Sequence, residues 1–230
     1  TNLAAATNMD LTNAVDMATD AIGAFGLAVN DPSLTAEEVA QQTTKNMNRI
    51  ADVVAKTTNM ANTDMSQWFE AVKSGAPTFT SMGGTLEEFS GMVGILANSG
   101  IKGAEAGTAL RNMMLNLGAP SSSATKALIK LGISVYDQAG NMLPIIDIME
   151  QFEKKLGDVD EQTKNGALED IFGKRNVGAF LTLMQSGTKE IRNYVDTLEQ
   201  AGGTAQNMAT AMNKSLKGQI TLLKSAVEGI

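Results

Sequence analysis

Cysteine and histidine are absent from this 230-residue chain. It can therefore form no disulfide, thiol nucleophile, Cys/His zinc site or Ser-His-Asp triad, and the usual proton shuttle near neutral pH is missing. Aromatic residues are scarce at 4%, a poor palette for a β-sandwich or barrel, which draws on aromatic and β-branched side chains. Positive charge is also short, with 18 Lys+Arg against 25 Asp+Glu and a net charge of −7. No dense basic run is present, which argues against a nucleic-acid groove and against binding to anionic lipid surfaces. No charge-free stretch exceeds 14 residues; one of them, Asn112 to Thr125, is interrupted by Gly, Pro and three Ser. A membrane-spanning helix needs roughly 18–20 apolar residues. The sequence starts at Thr1 with neither a basic n-region nor an apolar h-region.

What is present is 30 Ala, 22 Gly and 14 Met within a 43% apolar composition. Ala and Met form helices and Gly ends them, so the palette predicts closely packed helices with frequent stops. Asp10 and Thr12 are candidate caps for a helix carrying Val15, Met17, Ala18, Ile22 and Phe25. Thr35 with Glu38 makes a capping box before a long helix with Val39, Thr43, Met47, Ile50 and Val54 on one face. Glu37, Gln41, Lys45, Asn48 and Asp52 make its wet face. Asp64 with Gln67 opens a short helix through Trp68, Phe69 and Val72, closed by Gly75-Ala76-Pro77. Thr85 with Glu88 opens the next, which stops at Gly100. Helices over Gly103 to Leu117 and through Ala127, Leu128 and Leu131 follow, the latter capped by Ser121 or Ser122 and closed by Gly132.

Ile133, Val135 and Tyr136, then a Gly140-Asn141 turn and Met142-Leu143, read as a small β-hairpin near 133–143. Helices resume with Ile145, Ile148, Met149, Phe152 and Leu156 as one stripe, and run on through Leu168 to Phe172, Val177 to Met184 and Ile191 to Leu198. The last element, 204–230, carries Met208, Met212, Leu216, Ile220, Leu223, Val227 and Ile230 at helical spacing. Two readings stand equally: a coiled coil running onward, or an amphipathic helix folding back. The fold class is thus mainly all-α: a compact helical domain over 1–203 and a long amphipathic helix over 204–230. Because the helical pattern is cut at Ile230, the sequence reads as a piece of something longer.

Sites of chemistry do not emerge. Gly173-Lys174 is followed by Arg175, and Leu168 stands where a P-loop needs Gly. Glu37-Glu38, Glu87-Glu88 and Asp158/Asp160 lie at expected helix starts, where the macrodipole favours negative charge over any acid/base role. Gln162 and Thr163 spoil a calcium loop. The reading is therefore no enzyme, no cofactor and no metal. Many of the Met residues fall on core stripes; Met208 and Met212 have no visible partner and, with Leu216, Ile220, Leu223 and Val227, are the candidate protein-interaction residues.

Several blocks in order carry a resemblance. NSGIKGAEAGTALRNMMLNLGAP from Asn98, ALIKLGISVYDQAGNMLPIIDIMEQF from Ala127 and IFGKRNVGAFLTLM from Ile171 are similar to the core region of phage tail tape measure proteins. Asp10 to Leu27 and the closing LKSAVEGI extend the likeness over nearly the whole chain. The resemblance implies a structural role in the virion tail, setting tail length and supporting assembly and genome ejection. It implies as partners other tape measure copies, the tail tube protein, tail assembly chaperones and tail-tip proteins, met in the tail lumen or in the host cytoplasm during assembly. The alternatives are a cell-wall hydrolase or a membrane-active ejection module within a tail protein.

Overall fold

The structure, a computed structural model, describes residues 11–157 and 159–211. In chain order the helices are α1 (Leu11–Ala24), α2 (Ala36–Met60), α3 (Met65–Ser81), α4 (Leu86–Asn98) and α5 (Gly103–Gly118). They continue with α6 (Ser122–Leu131), α7 (Ile145–Leu156), α8 (Glu161–Phe172), α9 (Val177–Ser186) and α10 (Thr188–Glu199). Residues 204–211 are also helical.

The starts of these helices are written locally. Thr35 Oγ1 accepts from the Glu38 N–H at 3.3 Å while Glu38 accepts from the Thr35 N–H at 2.8 Å. Thr85 and Glu88 repeat this box for α4. Asp64 caps α3, Ser121 caps α6 and Asp160 caps α8, each by accepting one backbone N–H of the first turn. Such caps satisfy the amides that a helix start leaves without partners. Gly132 closes α6 in the left-handed region at φ 67°, a backbone conformation that strains any residue with a Cβ.

Three expectations need correction. The helix opened by Asp64 does not close at Gly75-Ala76-Pro77; α3 runs on to Ser81. Pro77 lies on the exposed side of the helix, so the Lys73 carbonyl left without a donor faces water. Gly75 is buried where α3 crosses α5. A Cβ built on Gly75 would run into the Gly107 carbonyl, with its carbon at 2.8 Å, and one on Gly107 would meet the Ala71 carbonyl carbon and Cα at 2.7 Å each. The two helices therefore touch backbone to backbone.

The expected hairpin near 133–143 is absent. Tyr136 and Met142 make one isolated antiparallel bridge, and the Asp137 carboxylate closes the loop by accepting the Ala139 and Asn141 N–H groups. Ile133 and Val135 are buried plugs in a helical core, and Tyr136 donates its hydroxyl to the Gly118 carbonyl. Val15, placed on the apolar stripe of α1, is 43% exposed. The buried stripe of α1 is Ala14, Ala18, Ala21 and Ile22, too narrow to take in the next position round the helix.

The core holds two aromatic clusters. Phe25 packs on Trp68 and Phe89, and Phe79 on Phe89, with ring centroids 5.4–6.4 Å apart. Phe152, Phe172 and Phe180 form the second at 4.1–5.7 Å. All seven rings are at most 5% exposed. The Trp68 indole N–H finds the buried Ser90 hydroxyl at 3.1 Å, so that its one polar atom is not stranded.

Candidate functional site

A polar recess lies where α2, α4 and the end of α10 meet. It is a groove of about 620 Å³ with Gln41, Lys45, Arg49 and Asp52 from α2, Glu87 from α4 and Glu199 from α10 in its wall. Glu87 is only 4% exposed. Its carboxylate accepts two hydrogen bonds from the Arg49 guanidinium, at 2.7 and 2.6 Å. This fork is the geometry in which an arginine holds a carboxylate most tightly. The bond to Glu87 pushes the Arg49 pKa up, against the opposing effect of burial. In the sequence Glu87 reads only as a helix-start carboxylate, because its partner Arg49 lies 38 positions away.

A second ionic knot lies nearby. Arg192 of α10 binds Asp147 at 2.6 Å and Glu150 at 2.7 Å, both on α7, and it holds the Glu150 carboxyl below the usual carboxylate range. Glu88 sits among acids: burial pushes its pKa up first, and Asp147 and Glu87 add to the rise, while its bonds to Thr85 pull the other way.

The carboxylates singled out in the sequence are thus occupied structurally. Glu38 and Glu88 complete capping boxes, Glu87 holds Arg49, Asp160 caps α8 and Glu37 accepts from Gln41 at 3.4 Å. Asp158 lies outside the described residues. No group of three or more metal-ligating side chains occurs among the described residues, and none of the helices described there is long and apolar enough to cross a membrane.

Of the candidate interaction residues, Met208 has a partner within the chain. It is half-buried against the core, and its Sδ lies 3.0 Å from Asn59 Nδ2. Its helix is tied to α2 by Asp52, which accepts from the Gly203 and Ala205 N–H groups, both at 2.9 Å. Asp52 was legible only as part of the wet face of α2. Met212, Leu216, Ile220, Leu223 and Val227 lie outside the described residues.

Comparison with known proteins now adds to this geometry. Residues 1–173 match the family model described as phage-related minor tail protein. The chain is 29% identical over 229 residues to a protein named "Tape measure protein" from Pneumococcus phage Dp-1, an alignment covering all of this chain and 19% of that one. It is 29% identical over 186 residues to a protein named "Probable tape measure protein" from Escherichia phage P2, covering 79% of this chain and 23% of that one. The chain therefore spans about a fifth of the length of the curated relatives it matches. No solved structure matches it.

Proposed function

This chain belongs to the phage-related minor tail protein family, and on that footing we propose that it is a folded structural segment of a tape measure protein that sets tail length and supports tail assembly and genome ejection. The observation that carries this reading is the alignment of the whole chain with the Dp-1 tape measure protein at 29% identity over 229 residues. The proposed place of work is the lumen of the virion tail, reached from the host cytoplasm during assembly. The proposed partners are further tape measure copies, the tail tube protein, tail assembly chaperones and tail-tip proteins. In this scheme 1–203 is the compact module and 204–230 is the helix that leads away from it.

Within such a protein the segment acts as a module rather than as ruler. Drawn out as one helix, 230 residues would reach roughly 345 Å at about 1.5 Å per residue. Folded, the same chain has an expected radius of gyration of only ~17 Å. The caps, the backbone contact of α3 with α5 and the two aromatic clusters all favour the folded form. The test is an in-frame deletion of this segment from the full-length gene, followed by electron microscopy of the tails. Tails of unchanged length, or failure to assemble any, are expected. Tails shortened by about 345 Å would show that the segment is measured out as extended helix, and would overturn the module reading.

A further inference from the structure

The helix over 204–211 begins at Gly202-Gly203, a start with no capping side chain of its own, and Gly203 has φ 79°. Its cap comes from elsewhere in the chain. One Asp52 carboxylate oxygen takes the Gly203 N–H and the other takes the Ala205 N–H, each at 2.9 Å, across more than 150 positions of sequence. A full negative charge placed against the free amides of a helix start is favoured both by hydrogen bonding and by the helix dipole. The rest of the docking is slight. Ala205 and Ala209 are 2% and 3% exposed, but each buries a single methyl, and Met208 adds a half-buried thioether beside Asn59. No aromatic ring of either core cluster belongs to this segment.

The contacts also fix a direction. Asp52 meets residues 203 and 205 while Asn59 meets Met208, so the segment runs parallel to α2, towards the Met60 end. Behind it, Asp52 and Gly202 both line the groove of about 620 Å³. The hinge glycines themselves pack against nothing, since both are exposed and a Cβ built on Gly202 or Gly203 meets no atom within 4 Å, so opening the arm uncovers only Ala205, Ala209 and Met208.

We propose that residues 204–211 form a separable arm, and that the Asp52 carboxylate is the clamp that holds this arm on α2 and so sets the direction in which the chain leaves the folded body. With the clamp closed residues 204–211 are aligned with α2; with it open the arm pivots at Gly202-Gly203 and the body stays folded. Asp52 is a positioning residue here, acting on the arm and not on the stability of the core.

The test is native-state amide exchange on the full 230-residue chain. In the unaltered protein the amides of Ala205 to Ala209 are expected to exchange through a local opening that responds little to denaturant, while Ile50, Val54 and Trp68 exchange only with global unfolding. Asp52→Ala is expected to speed exchange at 205–209 by roughly tenfold, the effect of losing a strong cap, and to leave the α2 and α3 amides unchanged. Asp52→Asn, which keeps one acceptor, should give a smaller effect. The direction is read separately. The chain has no cysteine, so Lys130→Cys with Thr210→Cys carries a pair of spin labels whose single narrow distance should broaden in the Asp52→Ala background. The proposal is overturned if arm amides in the unaltered chain exchange only with the core. It is equally overturned if Asp52→Ala changes neither exchange nor distance, or lowers core and arm protection together.

Discussion

The crossing of α3 and α5 makes a sharp prediction, because it reverses the usual sign of a glycine substitution. In an exposed helix interior, Gly→Ala stabilises by about 1 kcal/mol. Gly166 is such a site, with nothing within 4 Å of a built Cβ. At Gly107 the same methyl would meet the Ala71 carbonyl carbon and Cα at 2.7 Å. Both are backbone atoms, so no side chain can rotate away. Carbon atoms settle about 3.5–4.0 Å apart, so the helices must separate by close to 1 Å. A gap of that size forfeits a quarter to a half of each contact across it, including those of the buried Ala71, Val72, Leu110 and Met114. Overpacking of this kind costs about 3 kcal/mol; less the helix-propensity gain, the net loss is about 2 kcal/mol. For a chain of this length that lowers Tm by roughly 4–8 °C, whereas Gly166→Ala should raise it by roughly 2–4 °C. Thermal and urea unfolding followed by circular dichroism would measure both. Gly75→Ala should resemble Gly107→Ala, and the double variant should lose less than the two singles together, because the first methyl has already parted the helices. A Gly107→Ala protein as stable as the unaltered one would refute the backbone contact.

Removing Arg49 would leave the buried Glu87 carboxylate without its partner, so Arg49→Ala is expected to cost about 3 kcal/mol in urea unfolding at neutral pH; replacing both by Met and Leu should recover most of the loss. Glu88 has a raised folded-state pKa, so its contribution is fully present below its ordinary value of 4.5 and is lost as pH rises through the folded value. Glu88→Gln, which keeps the capping-box acceptor, should therefore flatten the decline in stability above pH 4.5 and leave the protein at least as stable at neutral pH. Asp31, Glu38, Asp137, Glu150 and Asp160 have lowered values, giving stability above their ordinary range that is lost on acidification; a melt series down to pH 3 should show that fall in both proteins. The Tyr194 hydroxyl is buried beside Gly94 with no hydrogen-bond partner among the described residues, and burial pushes its pKa up to about 12. Tyr194→Phe is expected to hold or raise Tm, and a drop of several degrees would mean that the hydroxyl has a partner after all.

What could be read in the sequence was whatever is decided within a few residues. Thr35/Glu38 and Thr85/Glu88 are capping boxes in any context, and Ile145, Ile148, Met149, Phe152 and Leu156 form a buried stripe because helical spacing alone puts them on one face. The misreadings share a cause at longer range. Gly75-Ala76-Pro77 has the look of a stop, but the meaning of Gly75 is set by Gly107, 32 positions on. The arms around Gly140-Asn141 have β-prone residues, but Ile133 and Val135 are spent on the helical core and the Asp137 carboxylate, not a strand ladder, closes the loop. Arg49 with Glu87 and Asp52 with Gly203 are invisible for the same reason, since each residue alone reads as a solvated charge.

The same long-range contacts bear on whether the segment measures length. To serve as extended ruler it would have to give up both aromatic clusters, because a single helix cannot cover Phe25, Trp68, Phe79 and Phe89 at one end and Phe152, Phe172 and Phe180 at the other. At about 2 kcal/mol for each buried ring, that exposure costs roughly 14 kcal/mol, comparable with the whole stability of an ordinary domain. Partner helices would have to supply an equivalent apolar seam. An in-frame deletion that shortened tails by the full helical length would therefore require the partner surfaces in the tail to outbid this core, and the energetics of the folded chain predict that they do not.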